Sequence, residues 1–157
     1  MKLGKTVWGF ALAIASLASS HAKADTVGTN ASVRATVQGQ DATAAYMEIR
    51  SDRDTALIGA RSNIAGHTSL HKMQEHGDMM MMAIDKLAVT AGHTVVLGEQ
   101  NYHVMLEELK RQIHVGDKVP LVLIFVDTDG SRHEIAVEAV VRELAAQDTH
   151  LHDHKGQ

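Results

Sequence analysis

The stretch Val119–Val126 reads VPLVLIFV, the polar turn Asp127-Thr128-Asp129-Gly130 follows it, and Ile135–Val141 reads IAVEAVV. Eight residues, almost all apolar and rich in β-branched types, are the length and composition of a strand covered on both faces. A turn with Gly at its end brings the chain back, so the two runs predict a β-hairpin. Working outward, Ala44–Arg50 (AAYMEIR) sets Tyr46, Glu48 and Arg50 on one parity and Met47 and Ile49 on the other. Thr55–Ser62 carries Leu57 and Ile58 after the polar turn Ser51-Asp52-Arg53-Asp54, and Thr68–Met73 alternates around Leu70. Thr94–Leu97 is a short β-branched run. Short strands separated by turn signals predict an all-β, antiparallel β-sandwich with Greek-key winding. The one helical signal is Met105–Ile113 (MLEELKRQI), which predicts a helical turn before Val115-Gly116-Asp117. The sequence contains no internal repeat.

The chain has 157 residues, the length of one domain. Apolar residues make up 45% and charged residues 22%, an ordinary globular balance. With aromatics at 3%, the core must be built from aliphatic side chains and methionine. Cysteine is absent, which excludes disulfide scaffolds, Cys-ligated zinc, iron–sulfur clusters and thiol nucleophiles. It also excludes the thiolate that a blue-copper centre normally needs. There is no Gly-x-Ser-x-Gly elbow, no His-Glu-x-x-His helix and no Gly-rich phosphate loop, so the expectation is a binding protein and not an enzyme.

Met1–Ala24 reads as a secretory signal peptide. Lys2 and Lys5 form the positive start, Thr6–Ala18 the apolar stretch, and Ala22-Lys23-Ala24 the cleavage site ahead of Asp25. The apolar stretch is short of the about 20 residues of a membrane-spanning helix. Cleavage would remove three lysines and no acidic residue, leaving 12 basic against 19 acidic residues and a formal charge of −7 in place of −4. Such a domain has no electrostatic footprint for nucleic acid. The expected organisation is a leader over 1–24, a sandwich domain over 25–144 and a flexible His-rich tail over 145–157.

Eleven histidines and eight methionines stand out from this plain background. One cluster spans His71, Met73, His76 and the run Met79-Met80-Met81-Met82; a second is Tyr102-His103-Val104-Met105-Leu106. Residues two apart on a strand share a face, so His71 with Met73, Met79 with Met81, and His103 with Met105 can each point the same way. Imidazole and thioether together suit copper, and thioether selects Cu(I). Hard cations want oxygen, and methionine is not an ordinary zinc ligand. Outside the cytosol a thioether also avoids disulfide chemistry, although sulfoxide formation would damage it. The competing reading makes the methionines core filler; four in succession would face both ways on a strand and cannot all fill one core.

These motifs resemble the periplasmic copper chaperones of the PCu(A)C type. His71 stands in Ser-Leu-His where that family often has Glu-Leu-His. Gly77, Met79 and Met81 match its Gly-x-Met-x-Met, and Tyr102–Leu106 matches its Tyr-His-x-Met-Leu. Ala91-Gly92-His93-Thr94 is similar to its Ala-Gly-Gly-Thr turn, and Gly116–Leu121 to its Gly-Asp-x-Val-Pro-Leu segment. Gln100-Asn101 replaces the family's Gly-Gly before Tyr-His. Nine residues separate His71 from Met81, one fewer than is usual in the family, and 21 separate Met81 from His103. Taking Met82 instead gives ten and twenty; Met81 is preferred because Ile84–Leu87 then fall on family-like positions. The resemblance implies a cupredoxin-like sandwich that binds Cu(I) through His71, Met81, His103 and Met105 in the periplasm. It also implies delivery to an acceptor protein of the pathway that assembles the copper centres of cytochrome oxidase. Separately from the resemblance, the expected partners include peripheral contact with a membrane-bound partner, and the expected state is a monomer or weak dimer. Met73, His76, Met79 and Met82 are secondary candidates. His150, His152 and His154 in the tail form a candidate second site for Cu(II), which would fit a metal buffer as the alternative function. A secreted interaction module without a metal is the plain alternative. His67, His93, His114 and His133 read as surface histidines.

Overall fold

The structure is a computed structural model that describes residues 25–76 and 78–143. The expected leader and the whole of the expected tail lie outside the described residues. Ten strands follow one another: β1 (Thr26–Arg34), β2 (Thr43–Ser51), β3 (Thr55–Ser62), β4 (Ala65–His76), β5 (Asp78–Ile84), β6 (Leu87–Val89), β7 (Thr94–Leu97), β8 (Tyr102–Leu109), β9 (Lys118–Asp127) and β10 (Arg132–Arg142). Their hydrogen-bonded order is β5-β4-β8-β7-β2-β1-β10-β9-β3-β6, and β8 also pairs with β2.

This ribbon doubles over. Met47 and Ile49 of β2, Leu70 of β4 and Leu106 of β8 share one buried cluster with Leu57 of β3, Leu121, Leu123 and Phe125 of β9, and Val141 of β10. Two layers therefore close on a single apolar core, the expected sandwich. Sequence neighbours such as β2 and β3 lie far apart in the strand order, the mark of Greek-key winding. Strands β3 and β7 occupy the bounds their sequences predict, and on β2 Met47 and Ile49 turn inward while Arg50 is exposed.

The structure differs from the sequence reading, or adds to it, at four points. First, β9 is covered on one face. Val119, Leu121, Leu123 and Phe125 are buried, while Pro120 is exposed and Val122, Ile124 and Val126 are half-buried. Among the described residues no third layer lies outside them; their register partners on β10 are Glu138, Ala136, Glu134 and Arg132. Second, residues 105–109 are strand and not helix. Val104 and Leu106 alternate into the core and pair with β2 and β4, so cross-strand burial overrides the helix propensity of Leu, Glu and Met. Third, the sheet is not wholly antiparallel: β1 runs parallel to β10, and β7 meets β8 in parallel at Leu97 and Tyr102. Fourth, β1 and β6 carry no clear strand signal. In β1 the register with β2 shifts between Thr29 and Ser32, and Asn30 takes the left-handed φ of 53° there. Asn tolerates this region better than most residues, and the register shift there is a β-bulge or similar irregularity.

Candidate metal centre

Strand β4 lies between β5 and β8. Its register with β8 sets Ser69 opposite Met105 and His71 opposite His103. Its register with β5 sets Met73 opposite Met81. Residues directly opposite, and residues two apart, share a face. One face of β5-β4-β8 therefore carries Met81, Met73, His71, His103 and Met105. Leu70, Val104 and Leu106 have the other parity and bury in the core. The ligand-type side chains thus stand on the outer face of the sheet.

A cavity of about 260 Å³ opens on this face, and Met73, Met81, His103 and Met105 line it together with Tyr46 and Arg34. The His71 ring lies 5.7 Å from the His103 ring, tilted by 42°. His103 is 4% exposed, whereas Met81 is 49% exposed, so the group is closed at its base and open at its rim. Tyr46 meets His103 edge-on at 6.3 Å, and the Arg34 guanidinium sits 5.7 Å from the Tyr46 ring centroid. Arg34 is held by Glu99 at 2.6 Å.

Two features of the imidazoles fit a soft metal ion. The Nδ1 atoms of His71 and of His103 are both buried without a hydrogen-bond partner. An unsatisfied buried polar atom costs about 1–3 kcal/mol, and such atoms call for an explanation such as a bound ion. Burial lowers the pKa of His103, and the neighbouring His71 and Arg34 push it the same way. Neutral imidazole is the form that binds metal. Among the described residues no three His, Cys, Asp or Glu side chains are grouped so that they could hold a metal ion.

The remaining candidates fall elsewhere. Met82 pairs with Lys72 and Met80 with Gln74, on the opposite parity from Met81, and they are 49% and 57% exposed. Met79 holds the register position opposite Glu75, and His76 closes β4 opposite Asp78; nothing of their side chains is described. His150, His152 and His154 lie outside the described residues. His67, His93 and His114 are exposed, as expected. His133 is not an ordinary surface group. Its side chain is 13% exposed, stacks on Phe125 at 5.1 Å and lies 3.4 Å from Asp127. Sequence reading missed Arg34, Tyr46, Glu99, Ser69 and Glu107 around the site. Ser69 and Glu107 had a weak signal, standing two residues from His71 and Met105 on the same strand parity.

The sandwich and its outer-face His/Met group define the class of protein. Residues 27–141 match the family described as putative lipoprotein LpqE-like, and the chain belongs to that family. The PCu(A)C resemblance extends to the fold. The apo PCuAC domain from PmoF1 superposes with a TM-score of 0.61 at 16% identity, over 76% of this chain and 94% of that one. The Cu(I) form of DR1885 from Deinococcus radiodurans is 34% identical, with a TM-score of 0.56, over 71% of this chain and 74% of that one. Putative lipoprotein Lxx21020 of Leifsonia xyli subsp. xyli is 31% identical over 103 residues, 63% of this chain and 61% of that protein. The chain therefore spans about three fifths of that relative's length.

Proposed function

We propose that the protein is an exported copper carrier that holds one Cu(I) at His71, Met81, His103 and Met105 and passes it to an acceptor. The observation that carries this reading is the pair of buried, unpartnered Nδ1 atoms on the same sheet face as Met81 and Met105. Support comes also from the Cu(I) form of a relative 34% identical to this chain. The family's description as lipoproteins and the leader-like Met1–Ala24 support export to the periplasm.

The chemistry suits a carrier. Two neutral imidazoles and two neutral thioethers leave the cuprous ion its single positive charge. The soft donors favour Cu(I) over harder ions. Met81 stands at the open rim, so a partner's ligand can enter there while His103 still holds the ion. Copper then leaves by ligand exchange, with no change of oxidation state and no covalent bond made in a substrate; the protein acts without being an enzyme. The acceptor in this reading belongs to the assembly of the copper centres of cytochrome oxidase.

An anaerobic Cu(I) competition titration against a chromophoric chelator tests the site. One tight equivalent is expected, strongly weakened in His103→Ala and in Met105→Leu. Binding untouched by both substitutions would remove the proposal and turn attention to the tail as a metal buffer. For ligand exchange, transfer rates should rise with acceptor concentration; rates independent of it would mean simple dissociation.

A further inference from the structure

His71 is held by a chain of hydrogen bonds that runs across two strands. Ser69 Oγ lies 2.9 Å from His71 Nε2 and 2.9 Å from Glu107 Oε2. A serine hydroxyl has one hydrogen, and a carboxylate only accepts. Ser69 therefore donates to Glu107, and its oxygen accepts from His71 Nε2–H. A neutral imidazole protonated at Nε2 carries its lone pair on Nδ1. That is the atom left buried and unpartnered. Three observations thus agree on one tautomer.

We infer that Ser69 and Glu107 are positioning residues that lock His71 as an Nδ1 ligand. Metal-bound histidines generally give their other N–H to a carboxylate, carbonyl or water, which fixes the ring and raises its basicity. Here the carboxylate acts through a hydroxyl. Ser69 sits on β4 two residues before His71, and Glu107 sits on β8 two residues after Met105. The relay therefore ties the strand that carries His71 to the strand that carries His103 and Met105. It sets the His71 ring before any ion arrives, so ordering is not left to the binding step. Glu107 also faces His67 at 3.9 Å, on the solvent side of the relay.

What His71 binds rests on the copper reading, but its tautomer does not. Nitrogen-15 NMR of the metal-free protein reads the tautomer directly. The wild type should show His71 protonated at Nε2 with a pyridine-like Nδ1. Ser69→Ala should give a mixture of tautomers and Cu(I) affinity about tenfold weaker, the low end of what loss of such partners costs. Ser69→Thr keeps the hydroxyl and should restore both. Glu107→Ala should resemble Ser69→Ala, while His67→Ala should match the wild type. A wild-type His71 protonated at Nδ1, or a tautomer unmoved by Ser69→Ala, would overturn the inference. A fixed Nε2–H tautomer with no tight Cu(I) binding would uphold the relay and remove the carrier function instead.

Discussion

Two hairpins of this sandwich have opposite designs. The β9–β10 hairpin pairs without a break from Arg132 opposite Val126 to Val140 opposite Lys118. Its inner face is Leu121, Leu123, Phe125 and Val141, all buried, and its outer face carries ion pairs such as Arg61 with Glu134 at 2.7 Å. The β4–β5 hairpin starts in the same way, with Leu70 buried in the core opposite Ile84. It then runs past the core, and Met80, Met81 and Met82 stand about half exposed at its far part. The first hairpin commits one whole face of apolar residues to the core. The second keeps apolar but polarizable residues in solvent, where burial cannot be their reason. In the proposed copper-carrier reading, the first hairpin holds the core and the second carries ligands.

Substitutions can break that contrast. The largest expected effect is on the first hairpin: Phe125→Ala should destabilise the protein by about 3–5 kcal/mol in urea denaturation. A cost comparable to that of a surface change would mean the core is not centred on β9. Next comes the second hairpin. Met81→Leu should lower Cu(I) affinity by more than about tenfold, the low end of what second-layer partners contribute, with the fold unchanged. Met82→Leu, on the other face, should leave affinity alone; equal losses at both positions would dissolve the assignment by register.

A smaller effect concerns acid. Burial holds the His103 pKa below its ordinary value. The unfolded chain takes up that proton near pH 6.5 and the folded chain only at lower pH. Stability of the metal-free protein should therefore fall as pH drops below about 6.5, until the folded value is reached. His103→Gln removes this component, so thermal melts across pH should show a shallower acid slope in the variant. The smallest effect is at Met80, 57% exposed: Met80→Ser should shift stability by no more than about 0.5 kcal/mol.

The two hairpins also show what was legible in the sequence. The β9–β10 turn and the strands of Thr55–Ser62 and Thr94–Leu97 follow from local signals, a polar turn with Gly at its end, an apolar segment after a polar turn and a β-branched run. The His and Met candidates were legible from residue chemistry. Strand β1 was not, since TVGTNASVR has few apolar residues and owes its strand to pairing with β2 and, in parallel, with β10. Strand β8 was misread because Met105–Ile113 is made of good helix formers, and its true partners lie tens of residues away. The two-sided cover expected of β9 failed because an apolar run does not say how many layers a fold has. The Ser69–Glu107 contact joins residues 38 apart, and only the register between β4 and β8 brings them together.

Strand β5 opens the strand order, so among the described residues one of its edges has no strand partner. From Met79 to Ile84 it carries no charge, the composition that invites a second chain to add on as a further strand. Asp78 and Asp85 bracket the run. Two copies meeting antiparallel along this edge would bring the aspartate at one end of each strand toward the aspartate at the other end of its mate. In the proposed copper-carrier reading, acids at both ends of the run serve as gatekeepers by sequence position, so that the strand keeps its thioethers in the open while like charge opposes growth from chain to chain.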